Sequence, residues 1–188
     1  EPGDKLFDLE SLASMIGFDR WHDPVKWNLY KLPFAQNLVP LYSDHLTRLL
    51  AAIKGKTKKC LVLDLDNTIW GGIVGDDGKE NLKLGEGDPV GEAHLDFQRY
   101  VLALRSRGIV LAVSSKNNEK IAREAFRTHP DMILKEEDIA VFQINWQDKA
   151  SNLELIAKKL NIGIDSLVFV DDNPVERNLV RKILPEVF

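Results

Sequence analysis

The chain has 188 residues, of which 44% are hydrophobic and 29% charged, and its formal net charge is −4 at pH 7. This length fits one domain, or one domain with an appendage, and the hydrophobic content is sufficient for a core. The lysines and arginines are scattered, whereas phosphate neutralisation needs clustered cations, so nucleic acid is not expected as a partner. One cysteine, Cys60, excludes an internal disulfide and a multi-cysteine zinc site.

The apolar runs of the sequence are all much shorter than the roughly 20 residues that a membrane span requires, and no signal peptide opens it. We therefore expect a cytoplasmic protein without membrane contact.

Residues 1–57 differ in pattern from the rest of the chain. Leu6–Ile16 and Tyr42–Ile53 have helical periodicity, and Asp23–Pro40 between them is rich in proline and aromatic residues. This region is predicted to be a helical N-terminal appendage, or the end of an upstream domain. The basic tether KGKTKK joins it to residues 58–188, which are predicted to form the catalytic domain.

From about Lys58 onward, short apolar runs alternate with longer amphipathic segments. The predicted strands are Cys60–Leu65, Ile109–Ser114, Ile139–Phe142 and Leu167–Asp171. The predicted helices are Gly91–Arg107, Asn117–Thr128, Lys149–Leu160 and Pro174–Leu184. This alternation is typical of an α/β fold, here a Rossmann-like open parallel sheet with helices on both faces.

Polar side chains stand at the ends of the predicted strands, where open α/β sheets bind ligands. The first strand runs into DLDNT, the second ends in SSK, the fourth ends in DD, and a lysine opens the helix before the fourth strand. The residues concerned are Asp64, Asp66, Thr68, Ser114, Ser115, Lys149, Asp171 and Asp172.

Asp64 and Asp66 are spaced to converge on one small ligand. In an extended chain they point to the same side, with backbones about 6–7 Å apart, so a divalent ion could bridge them. An EF-hand loop is excluded, because Ile69 and Gly75 occupy the positions that require glycine and an acid. Oxygen ligands without histidine or cysteine favour Mg²⁺, which commonly takes further ligands from substrate phosphate, and the pattern therefore indicates phosphoryl transfer.

The order of these motifs resembles that of the haloacid dehalogenase (HAD) superfamily of phosphatases and phosphotransferases. The resemblance implies Asp64 as the nucleophile, Asp66 as the acid/base, and Asp171 as a metal ligand beside both. It also implies Ser115, or Ser114, as the phosphate-binding hydroxyl, with Lys149 as a catalytic cation that holds the phosphate. Thr68 is assigned to phosphate binding as well.

More narrowly, KKCLVLDLDNTIWGGIVGDDG, SSKNNE, HPDMIL, NWQDKASNL and LNIGIDSLVFVDDNPVER resemble the FkbH-like branch over about residues 58–187. That resemblance implies a phosphorylated three-carbon substrate, 1,3-bisphosphoglycerate, whose glyceryl unit passes through an enzyme thiol to an acyl carrier protein. Thioester-forming members carry cysteine where this chain has Ser114, the acyl-acceptor position. The chain is either a phosphatase-like relative or one in which serine replaces the acyl-carrying residue.

The spacing of the motifs leaves no room for a sizeable cap domain, so a capless HAD core is expected. WGGIVGDDG, residues 70–78, predicts a hairpin flap, and an open site suits a carrier protein or a lid from another domain. Two alternatives stay open: a simple HAD phosphatase acting on a small phosphoester, and a non-catalytic carrier-protein-binding domain. Asp172 fits a helix cap and a metal ligand equally well, and Trp146 is assigned to packing.

Overall fold

The computed structural model describes residues 6–188, and the chain forms two compact units that divide between Thr57 and Lys58. The first unit is helical: α1 is Leu9–Ile16, α2 is Phe18–Trp21, α3 is Pro24–Tyr30 and α4 is Val39–Ile53. Helix α3 lies in the segment rich in proline and aromatic residues, to which the sequence pattern assigned no element. It forms there because the Asp23 carboxylate accepts from the Val25 and Lys26 amides, each at 3.0 Å, and caps the first turn.

The second unit is built on a parallel sheet of four strands in the order β3-β2-β1-β4. The strands are β1 Cys60–Leu63, β2 Val110–Ser115, β3 Ile139–Ile144 and β4 Leu167–Val170. The helices are α5 Val74–Asp77, α6 Pro89–Ser106, α7 Glu119–Thr128, α8 Lys149–Leu160 and α9 Pro174–Ile183. None of the helices in residues 6–188 is long and apolar enough to cross a membrane.

The two faces of the sheet bury two separate apolar clusters, because successive strand residues point to opposite sides. Leu61 and Leu63 pack with Phe126 of α7 on one face, while Val62 packs with Leu153 of α8 on the other. Helices therefore cover both faces, and the prediction of a Rossmann-like open sheet is confirmed.

The register of the strands brings the polar strand ends to one level. Leu63 of β1 lies beside Val113 of β2 and Val170 of β4. The residue that follows each of these three therefore lies at the same edge of the sheet. The Asp64 amide donates to the Val170 carbonyl at 2.9 Å, which fixes Asp64 directly beyond β1. The edge that binds ligands in such sheets therefore carries Asp64 and Asp171 as neighbours.

The hairpin predicted for residues 70–78 is wrong. Gly71 and Lys83 exchange two backbone hydrogen bonds, but the segment between them contains α5, a single helical turn. The helical turn forms because the Asp76 and Asp77 amides donate to the Ile73 carbonyl, while the Asp77 carboxylate accepts from the Ile73 amide at 2.8 Å. A short capped turn thus lies over the carboxyl end of β1 where a flap was expected.

Candidate active site

A cavity of about 710 Å³ opens at the carboxyl ends of β1, β2 and β4. Its lining includes six carboxylates and two lysines, which give the cavity wall a formal charge of −4. These residues are Asp64, Asp66, Asp76, Asp171, Asp172, Glu176, Lys116 and Lys149. So many carboxylates in one cleft require a cation to offset their charge. The buried carboxylates determine where that cation can lie.

Lys149 is the cation that the fold places among these acids. It is the first residue of α8 and only 2% exposed, and its Nζ donates to Asp64 Oδ1 and to the Ser114 carbonyl, each at 2.7 Å. The same Nζ lies 3.0 Å from Asp171 Oδ2, whose side chain is 1% exposed. The predicted helix-opening lysine thus joins three strand ends in one buried ionic cluster.

Asp64, Asp171 and Asp172 can each direct one carboxylate oxygen to a common point, with these oxygens within 4.8 Å of one another. Asp171 Oδ1 accepts from the Asn173 amide at 2.8 Å, whereas its buried Oδ2 has no well-aligned donor. The cap of α9 is Asn173 and not Asp172, since the Asn173 carboxamide accepts from the Val175 amide. Asp172, left open by the sequence, is therefore free to act as a ligand.

Asp66 lines the same cavity but has a different surrounding. Its Oδ1 accepts from Trp70 Nε1 at 2.9 Å and from the Val74 amide at 3.0 Å, while its Oδ2 accepts from Asn117 Nδ2 at 2.8 Å. These three donors hold the carboxylate apart from the group formed by the other acids. The role of Asp66 as a ligand of the metal ion stays a prediction. The hydrogen bonds around the Asp66 carboxylate fit the acid/base role better.

Burial raises the pKa of both acids that follow β1. For Asp64, desolvation outweighs the Lys149 ammonium, which lowers the pKa through its charge and hydrogen bond. For Asp66, desolvation outweighs the hydrogen bonds from Val74 and Trp70. The two carboxyls differ in that Asp64 has a direct cationic partner, which favours its ionised form, whereas Asp66 has only neutral donors.

The three hydroxyl residues predicted for the site lie in different positions relative to the cavity. Ser115 is buried and lines the cavity. Ser114 is fully buried, its Oγ has no hydrogen-bond partner, and it does not line the cavity. Thr68 Oγ1 accepts from the Asp172 amide at 3.2 Å, so this hydroxyl connects the loop after β1 to the loop after β4.

The sequence placed Trp70 near the pocket and Asn117 within a motif, but it did not show that both donate to Asp66. Trp70 is fully buried and supports Asp66, and Asn117 reaches the same carboxylate from a position 51 residues later. Lys116 Nζ and Glu176 Oε1 form an ion pair of 2.6 Å within the cavity lining. The only sequence signal for these residues was their adjacency to strand-ending motifs.

Cys60 is confirmed as a buried hydrophobic residue. It is 1% exposed at the amino end of β1, and burial raises the pKa of its thiol to about 12. A thiol of this kind stays protonated at neutral pH and lies at the end of the strand opposite to Asp64, so it has no part in the site.

The chain is similar to a crystal structure of the N-terminal part of protein BF1531 from Bacteroides fragilis, which contains a phosphatase domain and is complexed with Mg. The identity is 48% and the TM-score 0.89, over 95% of this chain and 48% of that one. This chain thus spans about half the length of that structure.

A second similar structure is the HAD family enzyme BT-2542 from Bacteroides thetaiotaomicron, in complex with magnesium and inorganic phosphate. Here the identity is 14% and the TM-score 0.44, over 66% of this chain and 90% of that chain, a likeness too low to support an argument about fold or chemistry. No family model matches the chain, and no curated protein does. With its four-stranded parallel sheet flanked by helices and no inserted cap in residues 58–188, the chain shares its α/β fold with the structure that contains the phosphatase domain.

Proposed function

We propose that residues 58–188 form a Mg²⁺-dependent phosphatase that works through an aspartyl-phosphate at Asp64. The observation that carries the proposal is the buried contact of Lys149 with Asp64 and Asp171, at 2.7 and 3.0 Å, beside a third acid that can share a ligand. The 48% identity to a Mg-bound structure that contains a phosphatase domain supports the same function.

The three acids fit a magnesium ion. Asp64, Asp171 and Asp172 supply only oxygen donors, and Asp171 Oδ2 is buried without an aligned donor. With the Lys149 ammonium the group has a formal charge of −2, which one divalent ion offsets. When bound, Mg²⁺ would screen the charge of the incoming phosphate and orient its oxygens.

Asp64 is the nucleophile in this proposal. The hydrogen bond from Lys149 orients its carboxylate and favours the ionised form, which is the form that attacks phosphorus. Attack forms an O–P bond to Asp64 while the bond from phosphorus to the leaving oxygen breaks. Ser115 lines the cavity and supplies a hydroxyl for the phosphoryl oxygens.

Asp66 transfers the proton in both half-reactions. Two donors occupy its Oδ1 and one occupies its Oδ2, so Oδ2 is the more basic oxygen and the one that holds the proton. That proton goes to the leaving oxygen in the first step. In the second step Asp66 takes a proton from water, which attacks phosphorus and releases inorganic phosphate and a free Asp64 carboxylate.

The test measures phosphate release from 4-nitrophenyl phosphate with Mg²⁺ and with EDTA, for the wild type, Asp64→Asn and Asp96→Asn. Asp96 is a matched control, because it is an exposed acid on α6 whose ion-pair partner among residues 6–188 is Arg99 alone. We expect Mg²⁺-dependent release by the wild type and the control, no release by Asp64→Asn, and a phosphoryl mass adduct on a peptide that contains Asp64. Equal release by Asp64→Asn would overturn the proposal.

A narrower second candidate is glyceryl transfer from 1,3-bisphosphoglycerate to an acyl carrier protein. It is favoured by the absence of a cap domain over the cavity in residues 58–188, which leaves room for a macromolecular acceptor. The buried Ser114 Oγ does not line the cavity and is poorly placed to receive an acyl group, so phosphate release without acyl transfer is the better-supported outcome.

Labelled 1,3-bisphosphoglycerate, with and without a carrier protein, separates these two candidates. A glyceryl mass adduct on the carrier or on Ser114 supports transfer, while phosphate release with no adduct excludes it. A domain that only binds the carrier would behave the same in the wild type and in Asp64→Asn.

A further inference from the structure

Trp146 has an unusual position for a large aromatic residue. It lies on the loop between β3 and α8 and is 77% exposed. It borders both the cavity of about 710 Å³ that contains Asp64 and a second cavity of about 650 Å³. The two cavities share Asn117, Asn118 and Trp146 in their linings. A tryptophan assigned to packing from the sequence therefore stands at the junction of two clefts.

The loop that carries Trp146 is anchored on both sides. The side-chain amides of Asn145 and Asn152 exchange two hydrogen bonds of 3.0 Å, and Asn145 Oδ1 also accepts from the Gln147 amide at 2.9 Å. On the other side Asp148 caps α8 by accepting from the Ser151 amide at 2.8 Å. The backbone that carries the indole is thus fixed at the cavity border, which lowers the entropic cost of ordering the loop when a ligand binds.

The polar groups of the second cavity are mostly hydrogen-bond donors. The carboxamide oxygens of Asn117, Asn118 and Asn145 already accept from backbone amides. Lys120 has no ion-pair partner within residues 6–188. Arg127, whose side chain is 62% exposed, donates from Nε and Nη2 to Glu136, and Glu119, which also lines the cavity, accepts from Arg123. Beside one aromatic face, this cavity therefore offers cationic donors to a ligand, and among the described lining residues Lys120 is the cation not paired with a carboxylate.

The floor of the site is closed by buried Asp64, Lys149 and Asp171, so the leaving group of a phosphoester bound at Asp64 extends toward the open rim of the cavity. Trp146 is the aromatic residue of that cavity lining. Building on the phosphatase function proposed above, we propose that Trp146 determines specificity by packing against a planar aromatic leaving group. The edge of that group bears acceptor atoms that face Lys120 and Arg127.

Steady-state kinetics test the proposal with 4-nitrophenyl phosphate, which has a planar ring with acceptors, and with methyl phosphate, which has no ring. The variants are Trp146→Ala, Trp146→Phe and, as a matched control, Tyr100→Ala, an aromatic residue that is 61% exposed on α6 and borders neither cavity. We expect Trp146→Ala to raise KM for the aryl ester about 3- to 10-fold, the range that one aromatic contact supports. Trp146→Phe restores most of the loss, and the control has no effect.

Neither kcat for the aryl ester nor the kinetics with methyl phosphate should change in these variants. An unchanged KM for the aryl ester in Trp146→Ala, or an equal rise with methyl phosphate, overturns the assignment of Trp146.

A binding measurement separates this proposal from the phosphatase function. In Asp64→Asn, titration with 4-nitrophenyl phosphate should quench tryptophan fluorescence, and the quench should become clearly smaller when Trp146→Phe is added. Quenching that depends on Trp146, together with no phosphate release by the wild type, would retain the subsite and reject the phosphatase. Phosphate release by the wild type, with a quench that Trp146→Phe leaves undiminished, would retain the phosphatase and reject the subsite.

Discussion

Replacing Lys149 by methionine tests whether the buried ionic cluster is organised as described. Methionine fills most of the volume of the lysine stem, so the change removes the ammonium without opening a large cavity. The Asp64 and Asp171 carboxylates then lose a cation that lies 2.7 and 3.0 Å away.

The cost follows from the burial of the groups. The side chains of Lys149 and Asp171 are 2% and 1% exposed, so solvent cannot replace the lost partner. Removing one partner from a buried ion pair costs about 3–5 kcal/mol. That is a large part of the roughly 5–15 kcal/mol that stabilises a folded protein. We expect a loss of this size at pH 8 without Mg²⁺, measured by urea unfolding followed by circular dichroism.

The loss should depend on pH in a definite direction. Lys149 lowers the pKa of Asp64, so its removal lets burial raise that pKa further above the value of about 3.9 for an unfolded chain. A carboxyl with a raised folded pKa contributes stability that is complete below the unfolded pKa and is lost as pH rises through the folded pKa. The variant should therefore approach the wild type at pH 4–5 and fall away from it toward pH 8.

Lys159→Met is the matched control, because Lys159 is an exposed lysine on the same helix α8. Its stability should stay close to that of the wild type at every pH. A loss below about 1 kcal/mol in Lys149→Met, or a loss that is the same at pH 5 and pH 8, would refute the cluster as the source of the effect.

Three further predictions follow from individual contacts. Asp171→Asn should weaken Mg²⁺ binding by more than about tenfold in calorimetry, because it removes one of three anionic ligands; unchanged affinity would contradict that ligand set. Trp70→Phe should lower kcat roughly 10-fold with little change in KM, since Asp66 loses the donor at 2.9 Å; a change in KM alone would count against the acid/base role. Cys60 should resist thiol reagents at pH 8 in the native protein and react in urea, because its pKa is about 12; rapid native reaction would disprove its burial.

The ligand-binding edge of the sheet could be predicted from the sequence because parallel topology leaves little freedom there. Alternating apolar runs and amphipathic helices fix a parallel sheet, and parallel strands end at a common edge. Any acid or lysine at those ends is therefore brought close to the others, as Asp64, Asp171 and Lys149 are. The strand pattern and the positions of these three residues in it were sufficient to predict that they lie close together.

The partners of Asp66 could not be read from the sequence, because they depend on how the chain turns after β1. Asn67 adopts a left-handed conformation with φ of 54°, and its side chain accepts from the Gly72 amide at 2.9 Å. This turn brings Trp70 and the Val74 amide back to Asp66, where a hairpin had been expected. Asn117 completes the set from another strand end.

The sequence by itself determined the fold class and the group of charged residues at one edge of the sheet, since strand periodicity and topology depend on local pattern. Tertiary structure decided which of those carboxylates lie close enough to share a ligand, with Asp172 beside Asp64, and Asp66 bound instead by Asn117. It also decided that Ser114 is buried outside the cavity lining while Trp146 is part of that lining. The physical reason is that side-chain direction in loops is set by contacts between residues far apart in the chain, which no periodicity encodes.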